Sequence, residues 1–217
     1  MKPSMLLAIF CSVAAAAPFP EQDQHQAAGT IPNYPGVQFN PDGKLSITVF
    51  SDLHFGEPSG EQKDWKTVGV INSVLDTENP DLVVLNGDLI SCEFVAPDKY
   101  NDLLDKVVSP LVSRNLPFAA TFGNHDYSET CNTHDMVAHM WWNIKGTNGK
   151  KLSFTTSSVD GPLEEVGESN YYIPVYSSAD GGKLAMLLWF FDSKGGAVYQ
   201  PGKHLDTPLS DTVHDKV

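Results

Sequence analysis

Residues 81–88 read Asp-Leu-Val-Val-Leu-Asn-Gly-Asp, four apolar side chains in succession running into a glycine and a carboxylate. An apolar run without polar alternation is the mark of a strand buried on both faces, as in a parallel sheet with a layer on either side. The arrangement recurs in both directions. Upstream, Leu45-Ser-Ile-Thr-Val-Phe50 runs into Ser51-Asp-Leu-His-Phe-Gly56, and downstream Pro117-Phe-Ala-Ala-Thr-Phe122 runs into Gly123-Asn-His-Asp126. Between the first two runs, Trp65, Val68, Ile71 and Leu75 recur at helical spacing until Asn79-Pro80. Between the second and third, Tyr100, Leu103, Leu104, Val107, Val108 and Leu111 do the same, with Pro110 expected to kink or split the helix. Strand, helix, strand, helix, strand predicts an α/β fold around a parallel sheet.

Beyond Thr133 the pattern changes. His134–Ile144 reads as a short helix, and Lys151–Ser157, Ser169–Tyr176 and Lys183–Asp192 read as short strands separated by Gly, Asp and Ser turns. These predict a second, mixed or antiparallel sheet. At the other end, Lys2, the apolar run from Met5 and the small residues Ala14 to Ala17 have the form of a secretory signal, expected to occupy residues 1–16. Residues 17–43, with Pro18, Pro20, Pro32, Pro35 and Pro41, predict an extended or irregular leader before the domain proper at 44–217. A secreted, extracytoplasmic protein follows, in which Cys92 and Cys131 remain as an even pair able to form a disulfide or stay as separate thiols. With 14 Lys and Arg against 27 Asp and Glu, the net charge of −13 repels phosphate backbones, so no nucleic-acid partner is expected. No later apolar run is long enough for a membrane anchor, and the oligomeric state is open.

Ligands of open parallel sheets gather at the carboxyl ends of the strands. Here those ends offer Asp52 and His54, then Asp88, then Asn124, His125 and Asp126. Carboxylate, imidazole and amide oxygen together suit Mn, Fe or Zn rather than a thiolate-seeking ion or an all-oxygen calcium site. A cation would also relieve the repulsion between Asp52 and Asp88, and one carboxylate can bridge two ions.

The ordered triple of Asp52-x-His54, Gly87-Asp88 and Gly123-Asn124-His125-Asp126, its parts about 36 residues apart, resembles the calcineurin-like metallophosphoesterase family, which includes the purple acid phosphatases. The resemblance runs from about Leu45 to about Ser193. It implies an αββα sandwich of two packed sheets, two divalent or trivalent metal ions (Mn, Fe or Zn) and hydrolysis of a phosphate ester, most simply a monoester. It further implies that Asp52 and His54 bind one ion, Asp88 bridges, Asn124 binds the second, and His125 faces the ester as the catalytic side chain. Asp126 is open between orienting the His125 ring and lying exposed at a turn.

The family completes its site with a lone histidine and a Gly-His-x-His segment, and no Gly-His occurs in this chain. His134 and His139 are expected at the surface or in packing, and neither His204 nor His214 has a strand-end setting. The expectation is a domain lacking its C-terminal part, with the second sheet incomplete and strands such as Leu184–Phe191 left without a covering layer. Trp141-Trp142 and Tyr171-Tyr172 read as alternating core and surface aromatics, and Glu164-Glu165 as solvated. Two alternatives to a phosphatase stay open: an inactive truncated remnant, and a secreted binding module.

Overall fold

The computed structural model describes residues 37–58, 60–128, 131–157, 167–178 and 182–192. The signal segment, most of the leader, Glu164-Glu165, His204 and His214 lie outside the described residues. In chain order the elements are Val37–Gln38 (β1), Ile47–Phe50 (β2), Glu61–Glu78 (α1), Leu82–Asn86 (β3), Tyr100–Arg114 (α2), Phe118–Thr121 (β4), Thr133–Trp142 (α3), Tyr171–Tyr176 (β5) and Leu184–Phe190 (β6). A single 3₁₀ turn, Cys92–Phe94, follows β3. Strands β2, β3 and β4 pair in parallel in that order. In the second sheet β5 is central, parallel to β1 and antiparallel to β6.

The uninterrupted apolar runs are explained by what lies on each face of the first sheet. Successive strand residues point to opposite sides. Val83 and Leu85 of β3, with Phe118 and Ala120 of β4, pack on Val68, Ile71 and Leu75 of α1 and on Leu104, Val107, Val108 and Leu111 of α2. Leu82 and Ala119 face the other way, onto Tyr171, Ile173, Val175 and Phe190 of the second sheet. Leu82, Val83 and Leu85 are all buried, and each burial contributes roughly 1.5–3 kcal/mol. The result is the α/β architecture of helices on one sheet and that sheet on another, the second sheet having three strands. Among the described residues no helix is long and apolar enough to cross a membrane.

Several local expectations need correction. Asp64, not Trp65, completes the buried stripe of α1: its carboxylate accepts from the Gly56 amide at 3.3 Å and Lys106 Nζ at 3.4 Å, while Trp65 lies exposed. Pro110 does not split α2. The carbonyl it leaves without an amide donor is that of Lys106, and the Ser109 hydroxyl donates to it at 2.9 Å. Residues 151–157 run beside β4 but form isolated bridges in place of a strand, Phe118 to Ser153 and Lys145 to Lys151, with Phe154 N donating to Phe118 O at 2.7 Å. The end of the leader is extended, within the expectation, and Val37 and Gln38 pair with Val175 and Tyr176.

The helix after Thr133 forms as the sequence indicates, and its histidines serve packing: His134 Nδ1 meets Glu168 at 3.0 Å and His139 Nε2 meets Asp105 at 2.8 Å. Tyr171 is buried, its ring stacked on Phe190, while Trp142 is exposed. Strand β6 presents Leu184, Met186, Leu187 and Trp189 to solvent, followed by exposed Phe191, as expected of a strand without a covering layer.

Candidate metal centre

The loops after β2 and β3 continue the parallel pairing beyond the sheet. Asp52 N donates to Gly87 O at 3.1 Å, His54 N to Asp88 O at 2.9 Å and Phe55 N to Leu89 O at 3.0 Å. Within this ladder Asp52, His54 and Asp88 have φ of 55°, 49° and 51°, in the left-handed region that L-residues other than glycine avoid. Each such residue costs roughly 1–2 kcal/mol, and strain of this kind collects at functional sites. Two glycines then let the third loop approach. A Cβ on Gly87 would stand 2.9 Å from Gly123 N, and a Cβ on Gly123 would stand 2.3 Å from Asp88 Oδ1.

Asp126 locks the loops after β3 and β4 together. It is fully buried and its Oδ1 accepts from the amides of Leu89 and Ile90, both at 2.9 Å, while Oδ2 accepts from Gly123 N at 2.8 Å. Burial pushes its carboxyl up to about 7, the amides of Gly123, Ile90 and Leu89 opposing that rise and Asp88 adding to it. Asp126 therefore neither orients His125 nor lies exposed.

The side chains converge. One ligand atom from each of His54, Asp88 and His125 lies within 4.8 Å of the others. The His54 and His125 rings meet edge to face at 4.8 Å between centroids. Asp88 Oδ1 accepts from the His125 amide at 2.8 Å, and His54 Nδ1 is 2.9 Å from the hydroxyl of buried Ser91. His125 Nδ1 is 2.6 Å from Glu93 Oε1. Asp52 and Asn124 stand at the same strand ends, both exposed; Asp52 is outside the three-residue group, its carboxylate accepting from the Ser51 hydroxyl. Imidazole and carboxylate this close together form a group that could hold a metal ion.

Residues 45–204 match the family described as calcineurin-like phosphoesterase. The chain belongs to the calcineurin-like phosphoesterase family. It is 30% identical over 170 residues to Phosphatase DCR2 of Saccharomyces cerevisiae, an alignment covering 72% of this chain and 28% of that protein. It is 27% identical over 195 residues to "Probable inactive purple acid phosphatase 28" of Arabidopsis thaliana (78% and 46% covered). It is 26% identical over 175 residues to "Probable inactive purple acid phosphatase 29" of the same plant (72% and 42%). The chain thus spans less than half the length of each of these relatives.

For a calcineurin-like phosphoesterase the sequence marks the strand-end triple well and its supports poorly. Glu93 and Ser91, on either side of Cys92, each touch a site histidine, and neither belongs to a motif. The only signal for them was their place just after Gly87-Asp88, on a turn pinned by Cys92. That residue is bonded to Cys131, and its amide donates to His125 O at 3.0 Å.

Proposed function

We infer that this chain is a metal-dependent phosphoesterase acting on phosphate monoesters with a two-metal site. The convergence of His54, Asp88 and His125 at the ends of adjacent strands carries this reading. Asp52 and His54 would hold one ion, Asp88 would bridge and Asn124 would bind the second, so that Mn, Fe or Zn ions supply Lewis acidity and charge neutralisation to phosphoryl transfer. The protein's own part is to orient the ester and manage a proton. His125, next to Asn124 and edge-on to His54, is placed to hydrogen-bond the leaving oxygen and give it a proton, a role worth about 10²- to 10⁴-fold in rate. The left-handed backbone at Asp52, His54 and Asp88 fixes the donors before substrate arrives, which lowers the reorganisation needed on binding. The signal-like residues 1–16 support secretion as the route to its site of action.

The test is metal content and turnover of p-nitrophenyl phosphate after loading with Mn, Fe or Zn. The expected result is metal-dependent hydrolysis, with Asp88→Asn losing both retained metal and at least about 100-fold in rate. Two of these relatives carry the word inactive in their names, and Asp52 stands outside the converged group, so a second reading is a metal-binding, non-hydrolytic remnant. Stoichiometric metal without turnover on any phosphate ester would select it and refute the first.

A further inference from the structure

Between Asp135 and Asp160 the sequence has no Asp or Glu, and Lys145, Lys150 and Lys151 fall inside that stretch, in a chain whose acids outnumber its bases 27 to 14. The fold gathers these lysines. After α3 ends at Trp142 the chain turns back on itself, so that Lys145 and Lys151 face each other in an antiparallel bridge and Gly146 N donates to Lys150 O at 2.9 Å. Residues directly opposite in such a bridge carry their side chains on one face, where like charges repel. The hairpin is also held from outside. Asn115, the left-handed cap of α2, accepts through Oδ1 from the Thr147 hydroxyl at 3.0 Å and the Asn148 amide at 3.2 Å, and a Cβ on Gly146 would collide with that oxygen. The cations are therefore fixed in place before any ligand arrives.

We propose that this hairpin and the end of α3 bind an acidic sugar chain, Lys145, Lys150 and Lys151 pairing with its carboxylates while Trp142 stacks on a sugar ring. Two observations set the chemistry. Among the described residues no carboxylate pairs with Lys145, Lys150 or Lys151, whereas Lys99, Lys106 and Arg114 are each paired with an acid. The acids on the flanking helices are turned elsewhere, Asp105 to His139 Nε2 at 2.8 Å and Asp135 to the Tyr100 hydroxyl at 3.2 Å. Burial and then the charge of Lys145 lower the Lys151 ammonium from its ordinary value, a positive field that an anion would relieve. The second observation is aromatic. Lys151 Nζ lies 4.2 Å from the centre of the Trp141 ring and 4.6 Å from that of Trp142, the two rings meeting edge to face, and Trp142 is still 47% exposed. Ring packing thus accounts for Lys151 and leaves Lys145 and Lys150 in solvent beside a broad aromatic surface.

The net charge of −13 narrows the ligand further. A dense polyanion such as nucleic acid meets the whole acidic surface, but a chain with at most one carboxylate per sugar can place its charges on the patch alone, because screening confines each interaction to about 8 Å at physiological salt. The C–H face of a sugar suits an exposed indole, and the carboxylate suits the ammonium groups next to it. The patch is distinct from the candidate metal centre: Leu152 O accepts from Phe118 N at the start of β4, and the centre lies beyond Thr121 at that strand's other end.

Isothermal titration of the full chain with an oligogalacturonate, against a neutral galactose oligomer of the same length, reads the site without reference to hydrolysis. Binding of the acidic oligomer alone is expected, weakening as salt is raised. Lys145→Gln combined with Lys150→Gln alters only exposed side chains and should weaken it at least about 10-fold; Trp142→Ala should do the same. Lack of binding, equal binding of the neutral oligomer, or wild-type affinity in either variant would overturn the proposal. Equal or tighter binding of polyglutamate, or of phosphatidylserine vesicles, would overturn it too, by assigning the patch to an acidic peptide or a lipid surface.

Discussion

Replacing Asp126 is the sharpest test of how the loops after β3 and β4 are held together. Its side chain is fully buried, and the amides it accepts belong to Leu89 and Ile90, themselves buried, and to Gly123. Alanine removes every acceptor at once. An unsatisfied buried amide costs about 1–3 kcal/mol, so three of them, allowing for partial relaxation and entry of water, place Asp126→Ala about 3–6 kcal/mol below wild type. Against a typical total of about 5–15 kcal/mol that is a large fraction of the fold's stability. Asparagine behaves differently because Oδ1, which serves both Leu89 and Ile90, can be kept as the amide oxygen. Only the Gly123 amide then faces a donor in place of an acceptor, and the neutral side chain escapes the burial that raises the carboxyl to about 7. The expected loss for Asp126→Asn is about 1–2 kcal/mol. Urea unfolding of the metal-free protein, followed by tryptophan fluorescence and far-ultraviolet circular dichroism, measures both, provided the slope with denaturant is unchanged. A loss under about 1 kcal/mol for Asp126→Ala, or equal losses for Asn and Ala, would refute the account, because the donor pattern would then not be what this carboxylate supports.

Gly123→Ala puts a Cβ 2.3 Å from Asp88 Oδ1, so the third loop must move away from the second; retained metal should fall by at least about 10-fold, read by elemental analysis of the dialysed protein. The bond between Cys92 and Cys131, at a sequence separation of 39, should stabilise the oxidised protein by about 4 kcal/mol through the unfolded chain, read as a lower denaturation midpoint with reductant or in Cys131→Ser. Tyr171 is buried and Tyr127 partly buried, the first bonded to Ala120 O at 2.8 Å and the second to Asp192, and desolvation raises both phenols above their ordinary value of 10.0. Since the folded state favours the protonated phenol, the stability they contribute is complete below the unfolded value and is lost as pH rises past it. Alkaline absorbance titration should therefore show these two ionising only together with unfolding; independent ionisation near pH 10 in the folded protein would contradict this.

The fold was legible where its physics is periodic. Leu82, Val83 and Leu85 announce a strand covered on both sides because alternate side chains meet different layers, and the structure gives them those layers. The strand-end triple was legible because each apolar run ends in carboxylate, imidazole or amide groups, and chemistry explains carboxylate and imidazole there better than packing does. What stayed hidden depends on contacts that no spacing encodes. Asp64 looks like a surface acid until Gly56 and Lys106 are seen against it. Pro110 looks like a helix breaker until the Ser109 hydroxyl takes up the carbonyl it leaves. Glu93, to which the sequence assigns no role, stands where orienting the ring was one of two open readings for Asp126, an exchange of position: the acid adjoining His125 in sequence supports the backbone, and one 32 positions earlier meets the ring.

That exchange has a structural logic. The backbone of His125 is held on both sides, its carbonyl accepting from Cys92 N and its own amide donating to Asp88 Oδ1. With the backbone fixed at both points, the side chains of adjacent residues diverge, one toward the cluster of His54 and Asp88 and the other into the interior beneath Leu89 and Ile90. A buried acid there can bind amides from two loops at once, which no exposed side chain could do with equal effect, since water would compete for the same donors. The ring, turned outward, must then find its acceptor on a different segment, and the disulfide-held turn carrying Glu93 supplies it. The second sheet reaches this loop only one residue further on. Asp192, just past β6, accepts from the Tyr127 hydroxyl and from the amides of Glu168 and Ser169. Among the described residues the donors of the candidate centre come from the ends of the first sheet, and Asp192 meets the third loop at Tyr127, whose backbone continues directly from Asp126.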